Sequence, residues 1–65
     1  MDNSARVPTV NDLKEKVIFW AMQVRMTEIA VRDAPVGTVG AAKRRHYHAT
    51  MKFNEVVDTY RGKLP

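Results

Sequence analysis

The sequence predicts an all-α protein: an antiparallel two-helix hairpin that self-associates into a helical-bundle oligomer. Three observations predict it. Apolar residues recur at helical spacing through two long segments, one stretch rich in proline and glycine separates them, and the chain has 65 residues with no cysteine. A chain this short buries only about 60 % of the surface its unfolded form exposes. It needs a disulfide, a metal or a partner to compensate. The disulfide is excluded by composition. His46 and His48 are two apart, on widely separated sides of a helix, and no acidic or cysteine cluster completes a metal site. Further copies of the chain are the remaining option, against the alternative of a loosely packed monomer.

The whole chain, 1–65, reads as one domain, with helix 1 over about 10–33, a loop over 34–40 and helix 2 over about 41–61. Residues 1–8 form an irregular lead ending at Pro8. Thr9 then resembles a helix N-cap, with Asp12 three residues on as in a capping box, and Asn11 competes for the same role. From Leu13 the apolar residues fall at 13, 17, 20, 24 and 31, one helical face. Ile18, Met22 and Ile29 make a second stripe, and Phe19, Met26 and Ala30 a third. The middle of this helix is apolar nearly all round, which one partner helix cannot cover.

Pro35 disfavours helical geometry in the residue before it, so the helix stops near Asp33-Ala34. The connector Pro35-Val36-Gly37-Thr38-Val39-Gly40 reads as a loop. Helix 2 carries a regular seam of Ala42, His46, Ala49, Phe53, Val56 and Tyr60, widened by Thr50 and Val57. Gly62 sits where a C′ glycine belongs. Two such helices joined by a short loop pack antiparallel. Val17, Phe19, Trp20, Met22, Val24, Ala49, Phe53, Val56 and Tyr60 are the expected core and oligomer contacts.

Residues 1–40 carry five basic and five acidic side chains, so the net charge of +4 arises from residues 41–65. Any anionic partner therefore meets the second half. Lys43, Arg44 and Arg45 fall in the first turns of helix 2, where the macrodipole prefers acids. A bound phosphate reverses that conflict, because free backbone amides, the dipole and the arginines then converge on one anion. The alternative is a solvated face paired with Glu15, Glu28 or Asp33 of another helix. Consecutive helical residues fan out by about 100° each, so at most two of the three cations serve one ligand. Tyr47 and His48, interleaved with the arginines, would stack on a nucleobase. His46 lies on the apolar seam and reads as a hydrogen-bonded core or interface residue. Trp20 and Phe19 sit in the most apolar run and read as core.

No cofactor is expected, and no catalytic role. There is no cysteine nucleophile or P-loop glycine pattern, and Ser4 lies in the irregular lead. A hairpin of this size lacks the walls that exclude water from a reaction. No apolar run approaches the ~18 residues of a membrane span, and Met1-Asp2-Asn3-Ser4 lacks the basic and apolar regions of a signal peptide. The expected setting is the cytoplasm, without a membrane partner.

The second helix also resembles a family, the small phage sponge proteins that evade CBASS and Thoeris immunity. Their helix begins with an arginine, followed by a small seam residue, a lysine–apolar pair, an acidic residue and small or β-branched residues. Here that series reads Arg44, Ala49, Lys52-Phe53, Glu55 and Val56-Val57. The resemblance implies an oligomerising hairpin that sequesters cyclic nucleotide signals, with Arg44 as the phosphate contact. In an infected cell such a protein would act in the host cytoplasm. This chain departs in having Arg45 where an acid is usual, a longer glycine-containing loop, and no aromatic residue within 1–12. Two other functions fit the same residues. One is a nucleic-acid-binding dimer that lays a duplicated Lys43-Arg44-Arg45 cluster on a phosphate backbone. The other is a structural or assembly component that docks its apolar first helix on another protein.

Overall fold

The computed structural model describes residues 9–64, so the lead over residues 1–8 and the final proline lie outside the description. The described chain is helical nearly throughout: α1 spans Val10–Asp33, a 3-10 turn spans Val36–Thr38, and α2 spans Val39–Lys63.

α1 begins where Thr9 caps it. Thr9 Oγ1 accepts from the Asp12 N–H at 3.1 Å, and Asp12 Oδ2 accepts from the Thr9 N–H at 3.0 Å. This capping box satisfies two amides near a helix start that lack ladder partners. Asn11, the competing cap, is already inside the helix. At the other end Ala34 adopts φ −68°, ψ 136°, the extended geometry that a following proline imposes.

The connection is tighter than a loop over 34–40. Pro35 has φ −60°, and its carbonyl accepts both the Thr38 N–H at 2.9 Å and the Thr38 hydroxyl at 3.0 Å. Those two bonds close a 3-10 turn that feeds into α2 at Val39, two residues before the expected start. Gly37 is in the turn and Gly40 in the helix, and no glycine among the described residues has a positive φ. The C′ role expected of Gly62 is corrected by the same fact. Gly62 is helical, α2 continues to Lys63, and extended Leu64 ends it.

The helices pack antiparallel. Leu13, near the start of α1, shares a groove with Val56 and Thr59 near the end of α2. Trp20 meets His48, and Thr27 meets His46. Among the described residues only Leu13, Ala42 and Ala49 are buried. Val17, Trp20, Val24, Phe53, Val56 and Tyr60 are half-buried along the same seam. Full burial of a leucine stabilises by about 1.5–3 kcal/mol, while ordering each backbone residue costs about 1–2 kcal/mol. A seam this thin leaves the hairpin short of a globular core.

Phe19 and Met22, expected among the core and oligomer contacts, are not in the hairpin's core. They are 52 % and 59 % exposed, and Ile18 and Met26 are similarly open. Helical geometry explains the sorting. The seam takes residues 13, 17, 20, 24, 27 and 31, and Ile18, Met22 and Met26 follow at i, i+4 on the opposite side.

Candidate functional site

One edge of the hairpin carries an open groove between the two helices. Its larger part, about 440 Å³, is lined by Trp20, Gln23 and Thr27 of α1 and by Arg44, Arg45, His48 and Ala49 of α2. That volume lies within the roughly 300–1,000 Å³ typical of small-molecule sites. Ala49 is the small residue of this stretch of the seam, so Trp20 faces no bulky partner across it.

The groove's aromatic wall is built by Trp20 and His48. Their ring centroids are 5.9 Å apart with the planes at 76°. On its other side Trp20 meets Phe19 at 5.1 Å and 86°. Both are edge-to-face arrangements of the kind that aromatic quadrupoles favour. A planar guest stacked on one ring of the Trp20–His48 pair would meet the other nearly edge-on.

The basic cluster at the turn end has no ion-pair partner among the described residues. Glu28 is engaged by Arg25, and Asp33 by Arg32 at 3.3 Å. Among the described residues Lys43, Arg44 and Arg45 have no ion-pair partner, so within one hairpin the alternative of a face paired with Glu28 or Asp33 does not arise. Arg44 folds back along α2, its Nη1 lying 3.8 Å from where a Cβ on Gly40 would stand.

Two expectations for the basic cluster change with the start of α2. Val39 to Ala42 form the first turn, so Lys43, Arg44 and Arg45 occupy the second. The dipole effect falls off within the first turn. The opposing dipole is therefore weaker at these residues than a start at Ala41 implies. The free amides near Val39 also lie a turn away from the Arg45 backbone, and the groove is made by side chains of two helices rather than by a helix end.

Of the residues read as ligand contacts, Arg44, Arg45 and His48 come together in the groove. Lys43 and Tyr47 do not line it. Tyr47 is 67 % exposed, and helical rotation turns both residues away from the edge that Arg45 and His48 share. Trp20, read as core, is instead half-buried on the groove wall. Gln23 and Thr27 were not singled out at all. What identifies them is the antiparallel register: once Trp20 faces Ala49, the next residues on that edge are Gln23 and Thr27.

Thr27 carries a second role. Its hydroxyl lies 2.7 Å from the Gln23 carbonyl, 3.1 Å from the Val24 carbonyl and 3.0 Å from His46 Nδ1. His46 is thus a hydrogen-bonded seam residue beside the groove. Among the described residues no three His, Asp or Glu side chains gather as metal ligands would, and no helix is long and apolar enough to cross a membrane.

No family model matches the chain, and no curated protein or solved structure is significantly similar to it.

Proposed function

We propose that this protein is an oligomeric, non-enzymatic binder that captures a phosphate-bearing nucleotide signal of the cyclic oligonucleotide or cyclic ADP-ribose type. Acting in the cytoplasm of an infected cell, it would block host antiviral signalling by sequestration. The observation that carries the reading is the groove that joins Arg44 and Arg45, unpaired among the described residues, to the Trp20–His48 corner. Guanidinium groups are suited to phosphate oxygens, and an aromatic face suits a nucleobase. The resemblance of the series from Arg44 to Val57 to the phage sponges points the same way. Trp20 supplies the aromatic surface that residues 1–12 lack.

Self-association belongs to the same reading. Ile18, Phe19, Met22 and Met26 form an exposed apolar face on α1. A second hairpin laid on it would bury this face in an assembly of four helices, the smallest that self-association allows.

The reading is tested by a thermal-shift panel of cyclic di- and trinucleotides, cyclic ADP-ribose isomers, linear nucleotides and a short DNA duplex. A ligand at about 100 times its Kd stabilises a fold by about 2.7 kcal/mol. The expected result is a large shift with a nucleotide and none with duplex. A shift with duplex alone, lost steeply with salt, would favour the nucleic-acid dimer. A flat panel would overturn nucleotide capture and leave the apolar face of α1, with a protein partner, as the functional surface.

A further inference from the structure

The same edge of the hairpin has a second hollow beyond the Trp20–His48 corner. It holds about 280 Å³ and is lined by Leu13 and Lys16 of α1 and by Lys52, Glu55, Val56 and Thr59 of α2. The two hollows follow one another along the same edge of both helices. Along α1 the lining runs Thr27, Gln23, Trp20, Lys16, Leu13, and along α2 it runs Arg44, Arg45, His48, Ala49, Lys52, Glu55, Val56, Thr59. The groove therefore presents one order: the arginines of α2 at the turn end, Trp20 and His48 in the middle, Lys16 and Lys52 toward the open end.

That order has a chemical meaning. Arg45 and Lys52 are separated by two helical turns, roughly 10 Å of axial rise. One phosphate held by Arg44 and Arg45, with its base against Trp20, leaves Lys16 and Lys52 facing the next stretch of the ligand. Building on the proposed capture of a nucleotide, we infer that Lys16 and Lys52 form a second phosphate station. The ligand is then an oligonucleotide with at least two phosphates, linear or cyclic, and a base seated between them. A mononucleotide fills half of the groove.

Glu55 sets the limit of this station. It lies 3.8 Å from Lys52, and both side chains are substantially exposed. Exposed pairs of that kind hold weakly, so an incoming phosphate displaces the carboxylate from Lys52 at little cost. The carboxylate nonetheless repels an anion seated there, and its removal strengthens binding at the second station alone.

Trp20 is the only tryptophan of the chain, so its fluorescence reports occupation of the middle of the groove directly. The experiment titrates the full chain with adenosine monophosphate, linear pApA and cyclic di-AMP. At least one dinucleotide should bind tenfold or more tightly than the monophosphate. Glu55→Gln should tighten that dinucleotide about threefold and leave the monophosphate unchanged. Lys16→Gln with Lys52→Gln should bring the dinucleotide down to the monophosphate's affinity. All three positions are surface side chains outside the buried seam, and circular dichroism checks that the variants remain helical.

Equal affinity for the monophosphate and both dinucleotides would overturn the second station while leaving nucleotide capture standing. So would equal weakening of all three ligands by the lysine substitutions, which is a general field effect. No binding of any of the three, together with no shift from any other nucleotide of the thermal panel, would overturn the station and the reading it rests on.

Discussion

The Thr27 hydroxyl and His46 Nδ1 meet at 3.0 Å across the α1–α2 seam, nineteen residues apart in the chain. The hydroxyl has a single proton, and its shortest contact is the Gln23 carbonyl at 2.7 Å. Assigning that proton to Gln23 leaves Nδ1 of His46 as the donor to Thr27 Oγ1, a tautomer fixed by the network. The bond sits where the apolar series 13, 17, 20, 24, 31 skips a turn. A polar pair thus fills that gap in the seam, directly beside the groove.

Thr27→Val keeps the shape of the side chain and removes the acceptor. His46 then holds a half-buried N–H without its partner, and the fold should lose about 1 kcal/mol. The double variant Thr27→Val, His46→Leu should recover most of that loss, because removing both partners leaves nothing unsatisfied. Urea denaturation of the four proteins measures the coupling. Additive losses in the double variant would show that the two side chains do not act as a pair.

Gly40 lies in the first turn of α2 with a helical φ, and a Cβ there meets only Arg44 Nη1 at ordinary contact distance. Gly40→Ala should therefore stabilise the protein by about 0.5–1 kcal/mol through the helix entropy that glycine forfeits. In a domain of this size that is a Tm rise of about 2–8 °C. A fall in Tm would mean that residue 40 needs glycine's conformational freedom, and that the turn extends further than Thr38.

The helix boundaries that depend on local chemistry were legible in the sequence. Thr9 and Asp12 cap α1 because a hydroxyl and a carboxylate three residues apart reach each other's amides. Pro35 ends α1 because it constrains Ala34. What the sequence hid was the path of the turn and the register of the two helices. Gly37, Gly40 and Gly62 suggested loop and cap geometry, yet nothing at those positions required a positive φ. At the turn, Thr38 bonding to the Pro35 carbonyl decided the path. Trp20 was indistinguishable from core by hydrophobicity, and only its register against Ala49 placed it on an open groove. The direction of each basic side chain depended on which edge of α2 borders the groove, and that edge separated Lys43 from Arg44 and Arg45 in role.

The outward face of α1 makes a prediction about assembly. Met22→Glu places a charge at the centre of the exposed Ile18–Met26 stripe and touches none of the seam. Wild-type protein should sediment as a dimer or larger, with a Tm that rises with concentration, as mass action requires. The Met22→Glu protein should sediment as a monomer and lose that concentration dependence. A wild-type chain that is monomeric at all concentrations would remove the bundle from the proposed function.

The two halves of the basic cluster should separate in binding. Arg44 lines the groove and Lys43 does not, although both carry one positive charge and neither has an ion-pair partner among the described residues. Hydrogen bonds to charged groups contribute about 1.5–3 kcal/mol, so Arg44→Ala should weaken nucleotide binding by about 10- to 150-fold. Lys43→Ala removes the same charge from the neighbouring position and should change affinity no more than about twofold at physiological salt, where exposed charges are screened beyond about 8 Å. Isothermal titration of the two variants, with sedimentation to show that assembly persists, compares contact with mere field. Equal losses in both would mean that the ligand senses the net charge of the second helix and has no defined seat beside Trp20.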